Sequence, residues 1–370
     1  MEAITGFLYN AAAFVVILSV IVFVHEFGHY FIAKISGVKI EQFSIGFGKE
    51  MFGFNDKSGT RWKFCLLPLG GYVKMFGDID PASAPDTEKI KAFTEEEKKV
   101  AFHTKSLPIK SAVVFAGPAA NFILSIVIMA FFFSYYGKPA TLPHISDVAE
   151  ESAAEKAGLM PGDLILEIDG TKVDTFADVQ RVIAINTGTP VEIVIEREGA
   201  QEAVTATPLI REKKDIFGNV VKAPMLGIAS SKIAYEKLNP FSAVGAAVVE
   251  TYNISASTLK AIGQMFTGQR SPKEITGPLG IAKYSGQSAE QGLSTVLWFI
   301  VVLSINLGLV NLFPIPLLDG GHLMYYAIEG VRGKPIADKV EQVGFKIGIA
   351  LVATLFIFAF INDLRNLEIF

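Results

Sequence analysis

The chain has 370 residues, is 51% hydrophobic and only 19% charged, and its mean hydropathy of +0.41 is high for a water-soluble enzyme. A net charge of -4 lacks the basic excess of a nucleic-acid binder, so no nucleic-acid partner is expected. The single cysteine, Cys65, excludes an internal disulfide, and nothing near it in sequence would activate a thiol. What remains is an integral membrane protein with some water-exposed mass, whose first partner is the lipid bilayer.

In chain order, residues 7–31 form the first stretch long and apolar enough to cross a bilayer core of about 30 Å. It has no basic leading region and no small-residue cleavage site, so it does not read as a signal peptide. It contains HEFGH, residues 25–29. The connection from about 34 to 111 is rich in Lys and Arg and contains RWKFCLLPLGGYVKM, which reads as a β-hairpin around Gly70 and Gly71. The edge of that hairpin, Gly70, Gly71, Tyr72, Val73 and Lys74, could hold an unwound substrate strand by β-addition.

A second span is expected at 112–136. From about 142 to 230 the composition turns soluble, with short strands, a turn at Asp169-Gly170 and a helical TFADVQRVIA. Residues 242–266, with Phe241 just before them, put Phe241, Val244, Val248, Tyr252, Leu259, Ile262 and Phe266 at helical spacing beside Glu250 and Lys260, which predicts an amphipathic helix rather than a fifth span. The third and fourth spans are expected at 293–313 and 343–361. The short connection between them holds Arg332, Lys334 and Lys339.

The basic connections place residues 34–111 and the third-to-fourth connection in the cytoplasm, with both termini and residues 138–292 outside. The first and third spans then run in the same direction. HEFGH lies late in one, and PLLDGGH, residues 316–322, follows the other, so the two motifs arrive at the same, cytoplasmic, side of the membrane.

Histidines four apart share a helix face. His25 and His29 can therefore bind one metal ion, with Glu26 placed as general base. Ionisable groups within a span are expensive and usually functional. A catalytic zinc needs a third ligand, and Asp319 is the best candidate. Pro314 and Pro316 break the helix before it, which at membrane depth is tolerated only beside protein or a water-filled cavity. His322 is the rival third ligand, and His103 and His144 read as incidental.

HEFGH in the first span, GPAAN (residues 117–121) opening the second, and NLFPIPLLDGGH after the third together resemble the site-2 protease family of intramembrane zinc metalloproteases, in its bacterial regulator-of-sigma-E branch. FSIGFGKE (43–50), LPLGGYVKM (67–75) and GPLGIAKYSG (277–286) extend the resemblance over nearly the whole chain. It implies a Zn2+ cofactor on His25, His29 and Asp319, and Glu26 as the base. Asn306 and Asn311 match positions that hold the substrate backbone. It also implies a hairpin that dips into the membrane beside the active site. Residues 138–232 resemble a circularly permuted bacterial PDZ domain, with Leu226, Gly227 and Ile228 as its peptide-binding loop.

The expected fold is thus a polytopic α-helical membrane protein with four transmembrane helices, a cytoplasmic-side membrane-associated β-hairpin region and an extracytoplasmic α+β PDZ domain. Its expected divisions are 1–34, 35–110, 111–137, 138–232, 233–292 (amphipathic helices), 293–322, 323–342 (a cytoplasmic loop), 343–362 and a tail at 363–370. The resemblance implies a multi-pass enzyme of the bacterial cytoplasmic membrane that cleaves single-span membrane proteins. Its substrates would be anti-sigma factors already cut by an upstream site-1 protease, and remnant signal peptides. A metal transporter is the rival class, but it predicts ligand clusters on several spans, which are nearly devoid of other ionisable groups. A PDZ scaffold with a dead metal site is disfavoured by the presence of all four catalytic residues.

Overall fold

The computed structural model describes residues 2–78, 92–184, 188–214, 220–268 and 272–366, so the last four residues of the expected tail lie outside the described residues. Four described helices are long and apolar enough to cross a membrane, covering Thr5–Ile35, Leu107–Tyr135, Leu293–Asn311 and Lys339–Arg365. They belong to α1 (Glu2–Ile35), α3 (Leu107–Tyr135), α8 (Leu293–Asn311) and α10 (Asp338–Asn366). A short α2 (Glu95–Val100) precedes α3. Helix α1 runs past the expected residue 31 because nothing before Gly37 breaks it. There Gly37 takes φ +68°, and Val38 N donates to Ala33 O at 2.9 Å, closing a glycine C-cap.

The chain divides into two compact units, Met1–Phe131 with Ser242–Phe370, and Phe132–Phe241. In the first, two long strands follow α1: β1 (Ile40–Asn55) and β2 (Arg61–Met75). The sequence reading of 61–75 as a whole hairpin is corrected here. That segment is one continuous strand, its partner is β1, and the turn lies between Asn55 and Arg61. The first part of β1 pairs on both sides, Phe43 with Val73 and with Trp62, while its second part pairs only with the start of β2, Phe54 with Trp62. Two bent strands thus make four ribbons, in the order 50–55, 61–65, 40–47, 71–75. The bends fall at Gly46 (φ +86°), Gly48 (φ +87°) and Gly70 (φ +118°), where side chains rarely follow.

This sheet is clamped to α1. Phe43 stacks on Trp62 at 4.2 Å between ring centres, and Tyr30 meets both edge-on. Asp56 in the turn accepts from Ser58 N (2.8 Å), Thr60 N (2.9 Å) and Tyr30 Oη (2.9 Å). Burial alone would raise the Asp56 carboxyl, but these donors together with Trp62 hold it well below the usual carboxylate range. The tip of the hairpin is therefore tied to α1 at Tyr30, the residue after His29.

The second unit is β-rich. It contains β3 (Lys138–Thr141), β4 (Asp147–Val148), α4 (Ala153–Lys156), β5 (Leu164–Ile168), β6 (Thr171–Lys172), α5 (Phe176–Ala184), β7 (Val191–Arg197), β8 (Ala200–Ala206), β9 (Leu209–Lys214), β10 (Val220–Met225), β11 (Ile228–Ala229) and β12 (Ile233–Glu236). Strands β6-β5-β7-β8 form one antiparallel sheet. Val191, Ile193 and Ile195 alternate into a core with Ile145, Ile165 and Ile168. Asp169 and Gly170 both have positive φ, as the sequence DG predicts for a tight hairpin. Asp163 is buried and takes two hydrogen bonds from Arg197, at 2.7 and 2.8 Å. Strand β12 pairs with β3, so the unit extends to Phe241, beyond the expected boundary at 232.

Helix α6 (Pro240–Phe266) is not among the four apolar candidates. Its small residues Ala243, Ala247 and Thr251 are buried, while the apolar stripe Phe241, Val244, Val248 and Tyr252 is exposed. Helix α7 (Pro278–Glu290) starts at GPLG, and its first N–H groups are capped from α10. Asp363 accepts from Gly277 N (2.8 Å), Leu279 N (2.9 Å) and Gly280 N (3.0 Å). The expected loop at 323–342 is corrected too. Its first half belongs to α9 (Asp319–Arg332), which ends where Gly333 takes φ +65° and donates to Glu329 O.

Candidate metal centre and substrate cavity

One turn apart on α1, the His25 and His29 rings stand edge to face at 4.8 Å, and their Nε2 atoms are 3.2 Å apart. Both side chains are buried. They lie against α3 at Gly117. A Cβ there would overlap His29 Nε2 and stand 2.9 Å from His25 Cε1, so only glycine leaves room for the pair. Helix α1 returns the same favour at Gly28, where a Cβ would overlap the Ala116 carbonyl. The outer nitrogens are held by α3 as well. His29 Nδ1 lies 2.9 Å from Val113 O, and His25 Nδ1 lies 3.2 Å from Asn121 Nδ2.

The third donor arrives on a broken backbone. Helix α8 ends at Asn311, and Pro314 and Pro316 prevent the helix from continuing. Leu317 has φ +126°, strained for a leucine. The chain then starts α9 at Asp319. Gly320 and Gly321 sit so close to the carbonyls of Leu312, Phe313 and Ile315 that a side chain at either would overlap them. On the other side Gly348 of α10 lies directly on the Pro316 carbonyl. The loop is wedged between two helices, which fixes where Asp319 points.

Asp319 Oδ2 is 3.2 Å from His25 Nε2, and Oδ1 is 3.5 Å from His29 Nε2. All three donor atoms lie within 4.8 Å of one another, and no other such group of three occurs among the described residues. Asp319 Oδ2 is buried without a hydrogen-bond partner. Two imidazole nitrogens and an orphaned carboxylate oxygen, converging from two helices, fit a tetrahedral zinc site with its fourth position open. His322, the rival ligand, is not in the group, although it lines the same cavity.

That cavity has a volume of about 620 Å³. His25, Glu26, His29, Asp319, Asn311, Gly70, Gly71, Tyr72 and Val73 all line it. Gly71 lets β2 press on the helix, since a Cβ there would stand 3.0 Å from Glu26 Cγ and 3.1 Å from Val22. Residues 71–75 pair with β1 on one side, and no other described strand covers their second edge. Beside its apolar residues the wall carries polar ones. Lys110 pairs with Glu329 at 3.4 Å and lies over the Tyr326 ring, and His103 is 2.7 Å from the buried Asp78. His103, which reads as incidental in the sequence, thus has a structural partner and a place in the cavity wall.

Two residues expected in the substrate cavity, Lys74 and Asn306, fall elsewhere. Lys74 does not line the cavity and instead pairs with Glu41 at 3.4 Å, because its side chain alternates to the other face of the strand from Val73. Asn306 is turned toward α6, and its Oδ1 accepts from Thr258 at 3.2 Å. Leu226, Gly227 and Ile228 belong to the second unit, where the carbonyls of Leu226 and Gly227 accept from Ala154 and Ala149.

A model of peptidase family M50 matches residues 13–355. A Rhizobium meliloti protein named as a zinc metalloprotease is 44% identical over 361 residues, which cover 96% of each chain. The metalloprotease MmpA of Caulobacter vibrioides is 34% identical over 388 residues, covering 99% of this chain and 98% of the other. Among solved structures, the PDZ domain of an SdrC-like protein from Listeria innocua matches 26% of this chain and 99% of its own, at 23% identity and a TM-score of 0.21.

Proposed function

The chain belongs to peptidase family M50, the site-2 protease family of zinc metalloproteases, and we propose that it acts as an intramembrane endopeptidase on single-span membrane proteins. The observation that carries this reading is the meeting of Asp319 with His25 and His29 beside Glu26, the latter three on a helix apolar enough to cross a bilayer.

Zinc bound by the three donors supplies a Lewis acid for the scissile carbonyl and lowers the pKa of water. Glu26 takes the proton of the attacking water and passes it to the leaving amine. A helical peptide bond is internally hydrogen-bonded, so the substrate has to unwind before it is cut, and its freed amides need partners in a dry place. The uncovered edge of Gly71, Tyr72 and Val73 offers them by β-addition, with Asn311 lining the same cavity. Lys110, Glu329 and His103 give the cavity polar groups that can hold the water the reaction consumes.

The basic connections favour a topology with both termini and the second unit outside and the catalytic cavity toward the cytoplasm of a bacterial cytoplasmic membrane. The second unit is read as a PDZ domain that excludes substrates with bulky external parts or binds their trimmed ends. Anti-sigma factors already cut by a site-1 protease, and remnant signal peptides, meet that requirement. The test is to incubate the purified full chain with a single-span substrate and map the cut by mass spectrometry. Cleavage within the apolar segment is expected, at least about ten times slower when a folded external domain is retained. A cut confined to water-exposed residues would overturn the reading.

A further inference from the structure

A histidine that binds metal through Nε2 keeps its proton on Nδ1, and that proton needs an acceptor. For His29 the acceptor is the Val113 carbonyl, 2.9 Å from Nδ1. A carbonyl can only accept, so His29 carries a proton on Nδ1, which leaves Nε2 as the nitrogen that binds metal beside Asp319. For His25 the described neighbour of Nδ1 is the Asn121 amide, at 3.2 Å. Asn121 is fully buried, and its Oδ1 has no partner.

The amide is planar, and its oxygen and nitrogen ends are nearly the same size. With Nδ2 facing His25, the amide donates to a bare Nδ1. The ring proton then sits on Nε2, directed at His29 Nε2 3.2 Å away. That arrangement suits the metal-free site and blocks the metal. Turned by half a revolution, the amide offers Oδ1 to an Nδ1–H, and the His25 Nε2 lone pair is free. One end of the amide is unpaired in both orientations, so burial alone does not choose between them; the ring does. The residue itself is anchored, since its backbone carbonyl accepts from Ser125 Oγ and from Ser304 Oγ of α8, both at 3.0 Å.

We propose that Asn121 is a positioning residue of the metal centre: its amide oxygen accepts the Nδ1–H of His25 and so sets the tautomer in which Nε2 binds zinc. This rests on the reading of His25 as a zinc ligand. Acceptors of this kind change metal affinity by about 10–100-fold when removed. The test is zinc affinity of the purified full chain, by competition with a chelator, in Asn121→Leu, Asn121→Asp and a His25→Ala control. Cobalt absorption spectra of the first two variants add a view of ligand geometry.

Asn121→Leu should weaken zinc binding by about 10–100-fold and alter the cobalt spectrum. Asn121→Asp keeps an acceptor and should stay within about threefold of the wild type, with an unchanged spectrum. A role in packing alone predicts the reverse, because leucine fills the same apolar space and aspartate buries a charge. Full affinity in Asn121→Leu, or a loss of tenfold or more in Asn121→Asp, overturns the inference. If the leucine variant does not fold, the aspartate variant decides alone. Zinc retained in His25→Ala would instead overturn the ligand assignment.

Discussion

Replacing Glu26 with glutamine should abolish peptide cleavage and leave zinc in place. Glu26 is not one of the three converging donors, so the metal site does not depend on its charge. Glutamine has the same length and shape. It therefore fits where Gly71 lies against the side chain, and the β2 edge should keep its place. What glutamine cannot do is accept a proton. A positioned general base contributes about 10²–10⁴-fold, and the cleavage rate should fall by that much or more. Rates on a single-span substrate, measured beside zinc content, separate this from a loss of metal. Normal cleavage by a zinc-loaded Glu26→Gln would remove Glu26 from the mechanism.

The second large effect is expected at a residue with no chemistry of its own. Gly117→Ala adds one methyl group, at a point where it would overlap His29 Nε2 and crowd His25 Cε1. Neither side can give way cheaply. The backbone of α3 is tied to the same two rings through Val113 O and Asn121, and the rings are aimed at Asp319. The histidines have to rotate out of position, which should lower zinc affinity by at least about 100-fold and take cleavage with it. Chelator competition and cleavage assays on the same preparation would show this. If Gly117 served helix packing alone, the variant would be less stable yet still bind one zinc per folded chain.

The catalytic pattern was legible because it obeys helix geometry. Residues four apart share a face, and HEFGH placed two imidazoles and a carboxylate on α1. Asp319 was legible from the prolines before it and the glycines after it, which announce a broken helix where an apolar span should have run on. The sequence was silent about what holds those ligands. The partner of His29 is a backbone carbonyl, which any residue at 113 would supply. Asn121 and Gly117 read equally well as the small and polar residues of ordinary helix packing.

The sheet was misread for a topological reason. One stretch of β1 pairs with both ends of β2, a long-range arrangement that local alternation does not encode, so 61–75 looked like a hairpin by itself. Helix α9 was hidden by its shortness between two spans. Asn306 was placed in the cavity by resemblance, yet on the helix it faces Thr258, since five residues from Asn311 is well over one turn of helix.

The account stands on three donors holding one zinc, and the zinc content of purified Asp319→Ala beside the wild type tests it most directly. One zinc per wild-type chain and little or none in Asp319→Ala is the predicted result, with His322→Ala still loaded. Full zinc occupancy in Asp319→Ala would contradict it and pass the third position to His322.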